Sequence, residues 1–271
     1  MIGYLGYEGS YTYFAACKVT MKDNLIPYNN IGRLFYALDT NEVSGIIVPY
    51  ENMKEGTSFD VLGRIRKKHY HINQEIVMEI ILSIISKENN VNNIDQIYAT
   101  ELSINECYNT LKKELGKYQR FEVKTNKIAL EKLNEMNHIT RGSVLSNHEE
   151  LGNYNVVVNN IRDTRENTHK YVHIIKPLKV NGMHNRTLIA CSPKQNRVGA
   201  LYDILHEFVL RGINIRKILS NPTGMTDEDI IFYIDLEGNI EDKLITEALG
   251  IIRFKSKFVS ILGSYYSQNK A

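Results

Sequence analysis

Ile2-Gly3-Tyr4-Leu5-Gly6-Tyr7-Glu8-Gly9-Ser10-Tyr11 opens with an apolar run, passes a glycine-punctuated turn and enters a stretch of helical character. Ile2–Leu5 reads as a strand, and the glycines at 6 and 9 suit a tight turn. Tyr11–Val19 reads as a helix, with Ser10 or Tyr11 near its start and the small residues Ala15 and Ala16 inside. The same order returns at Gly45–Pro49, a buried strand closed by Pro49, followed by the turn Glu55-Gly56-Thr57 and a helix over Ser58–Lys67. Between the two, Ile31–Thr40 carries Ile31, Leu34, Phe35 and Leu38 on one helical face. This alternation predicts an α/β fold with mainly parallel sheets, in which ligands sit beyond the carboxyl ends of the strands, where these turns fall.

Further along, Glu75–Ile85 reads as one long strand and Ser86–Asn93 as a polar connection. Strands at Ile97–Ala99, Phe121–Val123 and Ser143–Leu145 alternate with helices at Ser103–Leu115, Lys127–Met136 and Asn147–Leu151. Val156–Val158 and Tyr171–Ile175 close this part as strands. Residues 177–185 are polar with Pro177 and Gly182, and read as a linker. Beyond them the order changes to strand 187–192, helix 199–211, strand 213–219, strand 229–237, helix 241–250 and strand 256–263, the ferredoxin-like β-α-β-β-α-β arrangement.

The chain has 271 residues, enough at roughly 100–200 residues per domain for two domains with real cores. Its 33 Lys+Arg against 31 Asp+Glu give no global reason to expect nucleic acid or an acidic membrane as partner. The basic run Arg64-Ile65-Arg66-Lys67-Lys68-His69 lacks interleaved aromatics and sits at a helix C-terminus, where cations are favourable, so it reads as a solvated face. Cys17, Cys107 and Cys191 are too few and too scattered for a disulfide framework or a zinc site, and read as reduced thiols of a cytoplasmic protein. The N-terminus has no signal-peptide pattern, and the most apolar run, Ile76 to Ile85, is short and broken by Glu79 and Ser83, too short to cross a membrane.

Several of these stretches carry a resemblance that covers nearly the whole chain. Tyr4 to Thr12 is similar to the opening Y-L-G-P-x-G-T-F turn of prephenate dehydratases, and Gly45 to Thr57 resembles their G-V-V-P-I-E-N-S-x-E-G-[ST] segment. Ile161-Arg162-Asp163 with Asn167 resembles the approach to their Thr-Arg-Phe signature. In the last part, Asn196-Arg197-Val198-Gly199-Ala200-Leu201-Tyr202, then Leu219-Ser220-Asn221-Pro222, then Leu262-Gly263-Ser264-Tyr265 resemble the ACT regulatory domain that follows the catalytic domain in this family.

The resemblance implies a two-lobed, periplasmic-binding-protein-like catalytic domain over residues 1–176, with lobes 1–76 plus 159–176 and 77–158. An ACT domain follows over 186–266. It implies loss of the ring hydroxyl and ring carboxylate of prephenate to give phenylpyruvate, with no metal or organic cofactor. It places the substrate with Gly9, Ser10, Glu51, Asn52, Gly56, Thr57, Thr125 and Ser146. It implies phenylalanine as effector, at Asn196, Gly199, Ala200, Leu201, Leu219, Ser220, Asn221 and Pro222, and a homodimer or homotetramer formed through ACT domains.

Where the family has Thr-Arg-Phe, this chain reads His169-Lys170-Tyr171. Lys170 keeps the cation but not the planar fork that binds a carboxylate bidentately. His169 offers a general acid in place of a hydroxyl donor. Met53 stands for a serine, Tyr7 for a proline, and Ala99-Thr100-Glu101 for Ser-His-Pro. Bland roles exist for these residues too: Gly9-Ser10 as turn and N-cap, Glu51-Asn52 as a solvated loop, His169 as a hydrogen-bonded histidine. The altered signature leaves two other outcomes open. The cleft would decarboxylate prephenate while retaining the hydroxyl, or the chain would sense an aromatic amino acid without catalysis.

Overall fold

The computed structural model describes residues 1–52, 56–135, 141–146, 153–164, 168–222 and 230–267, with the side chains of Leu145 and Ser146 excepted. Met53, Glu55, Asn167 and the helix expected at Asn147–Leu151 lie outside the described residues.

The chain begins with β1 (Ile2–Leu5), α1 (Tyr11–Cys17), β2 (Leu25–Tyr28) and α2 (Ile31–Asp39). The β1–α1 turn needs its glycines: Gly6 has φ +118° and Gly9 φ +85°, a region that side chains with a Cβ avoid. Ser10 caps α1, its hydroxyl accepting from the Tyr13 N–H at 3.3 Å. The strand β2 was not anticipated, because Pro27 reads as a breaker. It is tolerated there because β2 is the edge of the sheet and pairs only with β1. Next come β3 (Gly45–Asn52), β4 (Gly56–Thr57), α3 (Phe59–Lys68), β5 (His71–Glu79) and β6 (Leu82–Ser86). The expected single strand Glu75–Ile85 is therefore two. The chain leaves one sheet at Glu79, crosses at the buried Ile80 and joins the other sheet at Leu82. A largely apolar run signals burial but not which sheet receives it.

The second sheet holds β6, β7 (Gln96–Ala99), β8 (Gln119–Glu122), β9 (Arg141–Ser146) and β10 (Asn155–Val158), in the order β10-β6-β9-β7-β8. Between β7 and β9 lie α4 (Glu101–Glu106), α5 (Tyr108–Leu115) and α6 (Asn126–Asn134). The single helix expected over Ser103–Leu115 breaks at Cys107. There Asp163, part of the motif before the signature, accepts the Asn109 and Thr110 amide protons at 2.9 and 2.8 Å and so caps α5.

The chain returns to the first sheet with β11 (Thr168–Ile175), antiparallel to both β3 and β5. Both sheets are thus mixed rather than mainly parallel: β1, β2 and β3 run parallel, as do β7, β8 and β9, while β6, β10 and β11 run against their neighbours.

The last part has the expected order: β12 (Arg186–Pro193), α7 (Ala200–Val209), β13 (Ile215–Pro222), β14 (Ile230–Glu237), α8 (Lys243–Lys255) and β15 (Ser256–Tyr266). Its strands do not form a sheet of their own. β15 lies parallel to β5, so one ten-stranded sheet runs β13-β14-β12-β15-β5-β11-β3-β1-β2, with β4 attached to β3. Gly263 makes the joint: a Cβ there would stand 2.5 Å from the Ile72 carbonyl oxygen. The core is continuous across it, Leu62, Ile65 and Ile72 packing with Leu188, Tyr233, Leu262 and Tyr265. An apolar joint of this kind resists relative motion of its two sides. Helices α7 and α8 cover the other face over Ile189, Phe208, Ile234 and Ile252. No helix among the described residues is long and apolar enough to cross a membrane.

Candidate active site

A cavity of about 640 Å3 opens between the two sheets, walled by the first through Gly9, Ser10, Tyr11, Pro49, Asn52 and His169. The second sheet's side supplies Thr100, Glu101, Glu106, Glu122, Lys124 and Asn126. Each wall follows from local folding. Gly9 and Ser10 come from the β1–α1 turn, beyond the carboxyl end of β1, and Thr100 and Glu101 from the start of α4 beyond β7. Thr100 caps α4 by accepting from the Ser103 N–H at 3.3 Å. Across the mouth, the Tyr7 hydroxyl donates to the Lys124 carbonyl oxygen at 3.3 Å.

His169 lines the cavity. Its imidazole Nε2 lies 3.4 Å from Glu106 Oε1, and both side chains are buried. The ring also meets Tyr11 edge-on, with centroids 5.9 Å apart. Glu106 Oε2 is buried with no hydrogen-bond partner among the described residues. Glu101, Glu122 and Lys124 are exposed at the rim, so their charges act through solvent, whereas the His169–Glu106 pair acts where water is scarce.

Lys170 points the other way, as strand alternation requires. It lines a smaller cavity of about 280 Å3 with Glu51, Asn52, Gly56, Thr57 and His169. His169 and Asn52 border both spaces. Glu51 Oε1 is 3.2 Å from Lys170 Nζ, and Oε2 is 2.5 Å from Lys217 Nζ. The Thr57 hydroxyl donates to Glu51 Oε2 at 2.9 Å and accepts from Lys217 at 2.6 Å. Burial would raise the Glu51 carboxyl, but Lys217, Lys170 and Thr57 together hold it below the ordinary range.

Of the expected substrate residues, Gly9, Ser10 and Asn52 face the large cavity and Glu51, Asn52, Gly56 and Thr57 the small one. Thr125 lines neither; its hydroxyl caps α6, accepting from the Ile128 N–H at 3.1 Å. Ser146 ends β9, and its side chain lies outside the described residues. Glu106 and Lys217 were not found from sequence. Glu106 lies on a helix with no motif around it, and Lys217 is 166 and 160 positions from the Glu51 and Thr57 that it meets here, so only the fold brings them together.

The expected effector residues divide between two places. Asn196, Gly199, Ala200 and Leu201 line a cavity of about 350 Å3 with Tyr202 and Phe232. Asn221 and Pro222 line another of about 780 Å3, between α3 and the sheet, with Arg66, Tyr233 and Phe258. Leu219 and Ser220 line neither. Gly199, at φ +81°, is the N-cap of α7, and the Ala200 amide is already given to the Arg197 carbonyl at 3.0 Å. In the basic run, Arg64 pairs with Asp60 at 3.0 Å, Lys68 with Asp39 at 3.1 Å, and the Arg66 guanidinium covers the Phe258 ring.

The family model for prephenate dehydratase matches residues 2–178. The bifunctional chorismate mutase/prephenate dehydratase of Aquifex aeolicus is 30% identical over 97% of this chain and 73% of its own length. The prephenate dehydratase of Methanocaldococcus jannaschii is 30% identical over 88% of this chain and 86% of its own. In fold, the chain matches the Arthrobacter aurescens prephenate dehydratase, solved in complex with L-Phe, with a TM-score of 0.80 at 22% identity, over 100% of this chain and 91% of that one. With the two-sheet cleft and the β-α-β-β-α-β tail on the same scaffold, the chain belongs to the prephenate dehydratase family.

Proposed function

We propose that the chain is a prephenate dehydratase, a cytoplasmic enzyme that converts prephenate to phenylpyruvate, carbon dioxide and water. The catalytic unit is residues 1–176, its lobes 1–76 plus 159–176 and 77–158. The observation that carries this reading is His169, which stands at the signature position, in the wall of the interlobe cavity, against the buried carboxylate of Glu106. The reaction needs little from the protein. The bond to the ring carboxylate breaks, its electron pair enters the ring as the aromatic system forms, and the C4–O bond breaks. One proton must reach the departing oxygen so that it leaves as water.

His169, protonated, is the donor in this scheme. Glu106 fixes the ring so that one nitrogen is committed and the other is directed, since the bond made by one imidazole nitrogen sets the role of the other. Lys170 binds a carboxylate from the side of the smaller cavity, as a point charge rather than a fork. The β1–α1 turn with Gly9 and Ser10, together with Asn52, bounds the space that holds the ring in a reacting orientation.

Residues 186–266 serve as an ACT-type regulatory domain whose effector is phenylalanine, and the chain assembles as a homodimer or homotetramer through it. Support comes from the L-Phe bound to the Arthrobacter aurescens protein and from the pocket beside Gly199. The division of the expected effector residues between two cavities fits a site completed by a second copy.

Product analysis after mixing the purified protein with prephenate tests the reaction, against a control without protein for spontaneous aromatisation. Phenylpyruvate well above the control is expected. A non-aromatic decarboxylated keto acid, or prephenate returned unchanged, contradicts it.

A further inference from the structure

Glu51 is a carboxylate shared by two lysines from distant parts of the chain. Oε1 faces Lys170 of β11 at 3.2 Å, and Oε2 faces Lys217 of β13 at 2.5 Å. Lys217 also donates to the Thr57 hydroxyl at 2.6 Å, and Thr57 in turn donates to Glu51, so the lysine closes a ring of three contacts on the β3–β4 hairpin. All four side chains are partly or largely shielded, with Glu51 and Lys170 each 21% and Lys217 33% exposed. Screening by salt is weaker there than at an open surface.

The arrangement sets up a competition. A carboxylate committed wholly to Lys170 neutralises it, and a ligand carboxylate entering the small cavity then meets a cation already satisfied. A carboxylate drawn toward Lys217 leaves more of the Lys170 charge for the ligand. We propose that Lys217 is a positioning residue for substrate binding: by holding Glu51 Oε2 and Thr57, it keeps Lys170 available to a substrate carboxylate. This deepens the dehydratase reading and rests on it for the identity of the substrate. Lys217 lies on β13, and so gives the C-terminal unit a direct contact on the Glu51–Lys170 pair.

The neighbouring charges do not replace Lys217. Asp235 is paired with Arg186 at 3.2 Å and acts on Lys170 and Lys217 only through its field, and Glu75 accepts from the Ser267 hydroxyl at 2.6 Å. Neither pair involves the Glu51 oxygens.

The test compares wild type, Lys217→Met, Lys217→Arg and the double variant Glu51→Gln/Lys217→Met in the full-length protein. Lys217→Met is expected to raise KM for prephenate about tenfold with kcat within about twofold, the pattern of lost binding rather than lost transition-state stabilisation. Lys217→Arg should stay near wild type. Removing the Glu51 charge in the double variant should recover most of the lost affinity, which a merely structural defect would not allow.

A second readout needs no substrate: the rate at which Lys170 is acetylated by a small amine-reactive reagent, followed by mass spectrometry. That rate should fall in Lys217→Met, where Glu51 turns to Lys170, and rise in the double variant. Unchanged KM in Lys217→Met, no recovery in the double variant, or a Lys170 labelling rate indifferent to Lys217 would each overturn the proposal. If wild type neither binds nor converts prephenate while the labelling pattern holds, the substrate reading fails and the Lys217–Glu51–Lys170 linkage stands.

Discussion

His169 and Lys170 are neighbours in the chain and both border the smaller cavity, yet only His169 also lines the space between the sheets, and their charged partners differ. His169 enters the cavity between the sheets and is met by Glu106 of α4 from the side of the second sheet. Lys170, on the opposite face of β11, enters the smaller space and is met by Glu51, which Lys217 of the C-terminal unit also holds. The period of a strand makes this division unavoidable. The lesson is that two adjacent residues have two separate supports: the contact across the cavity meets the group proposed to give the proton, and the contact from β13 meets the group proposed to bind the carboxylate.

The largest effect short of removing His169 should come from breaking its support. Glu106→Gln keeps the shape but removes the charge, and kcat is expected to fall by about tenfold to a hundredfold with KM little changed, no more than the lower end of general acid–base effects because the acid itself remains. Steady-state kinetics would decide, and a rise in KM alone would mean that Glu106 serves binding. On the other side, Lys170→Met should raise KM for prephenate about tenfold while kcat changes less, the signature of lost substrate attraction. A fall in kcat alone would move Lys170 into the chemical step.

A third expectation concerns the joint that brings Lys217 to Glu51. Gly263→Ala drives a Cβ to 2.5 Å from the backbone oxygen of Ile72, a clash that no side-chain rotation relieves. A loss of about 1–3 kcal/mol of stability is expected, the usual cost of overpacking. Thermal or urea unfolding would measure it, and an unchanged midpoint would mean that β15 and β5 are not held this closely.

A pH dependence is expected at the same joint. Burial lifts the Asp235 carboxyl to about 6, with Glu75 adding to the rise and Arg186 opposing it. A raised folded value means that the stability Asp235 contributes is fully present below its unfolded value near about 4 and is lost as pH rises through about 6. Wild type should therefore lose stability relative to Asp235→Asn between about pH 4 and pH 7. Melting curves across that range would show it, and a difference constant with pH would contradict it.

Sequence reading reached the parts of this molecule that are locally determined. The β1–α1 turn was legible because Gly6 and Gly9 take backbone angles few other residues accept, and Ser10 is a natural cap. The tail was legible because its six elements are separated by clear turn residues. The split of Glu75–Ile85 was not, since Glu79, which stands at the crossing, fits equally well the exposed face of one continuous strand. The strand containing Pro27 was hidden because its tolerance depends on lying at an edge, which only the assembled sheet reveals. At the site, motif resemblance pointed to His169, Lys170 and Glu51. Glu106 and Lys217 were invisible because each acquires its partner only through tertiary contact. Thr125 differs from both, since its cap on α6 is a local contact, accepted from the Ile128 N–H three residues on.

The most direct measurement follows phenylpyruvate formation from prephenate by wild type and by His169→Gln, each with its circular dichroism spectrum recorded to establish folding. Glutamine can keep a contact with Glu106 but cannot supply an acidic proton. Wild type is expected to form phenylpyruvate, and the folded variant to be slower by about a hundredfold or more in kcat, as for loss of a general acid. A folded His169→Gln protein that forms phenylpyruvate at the wild-type rate would contradict the account.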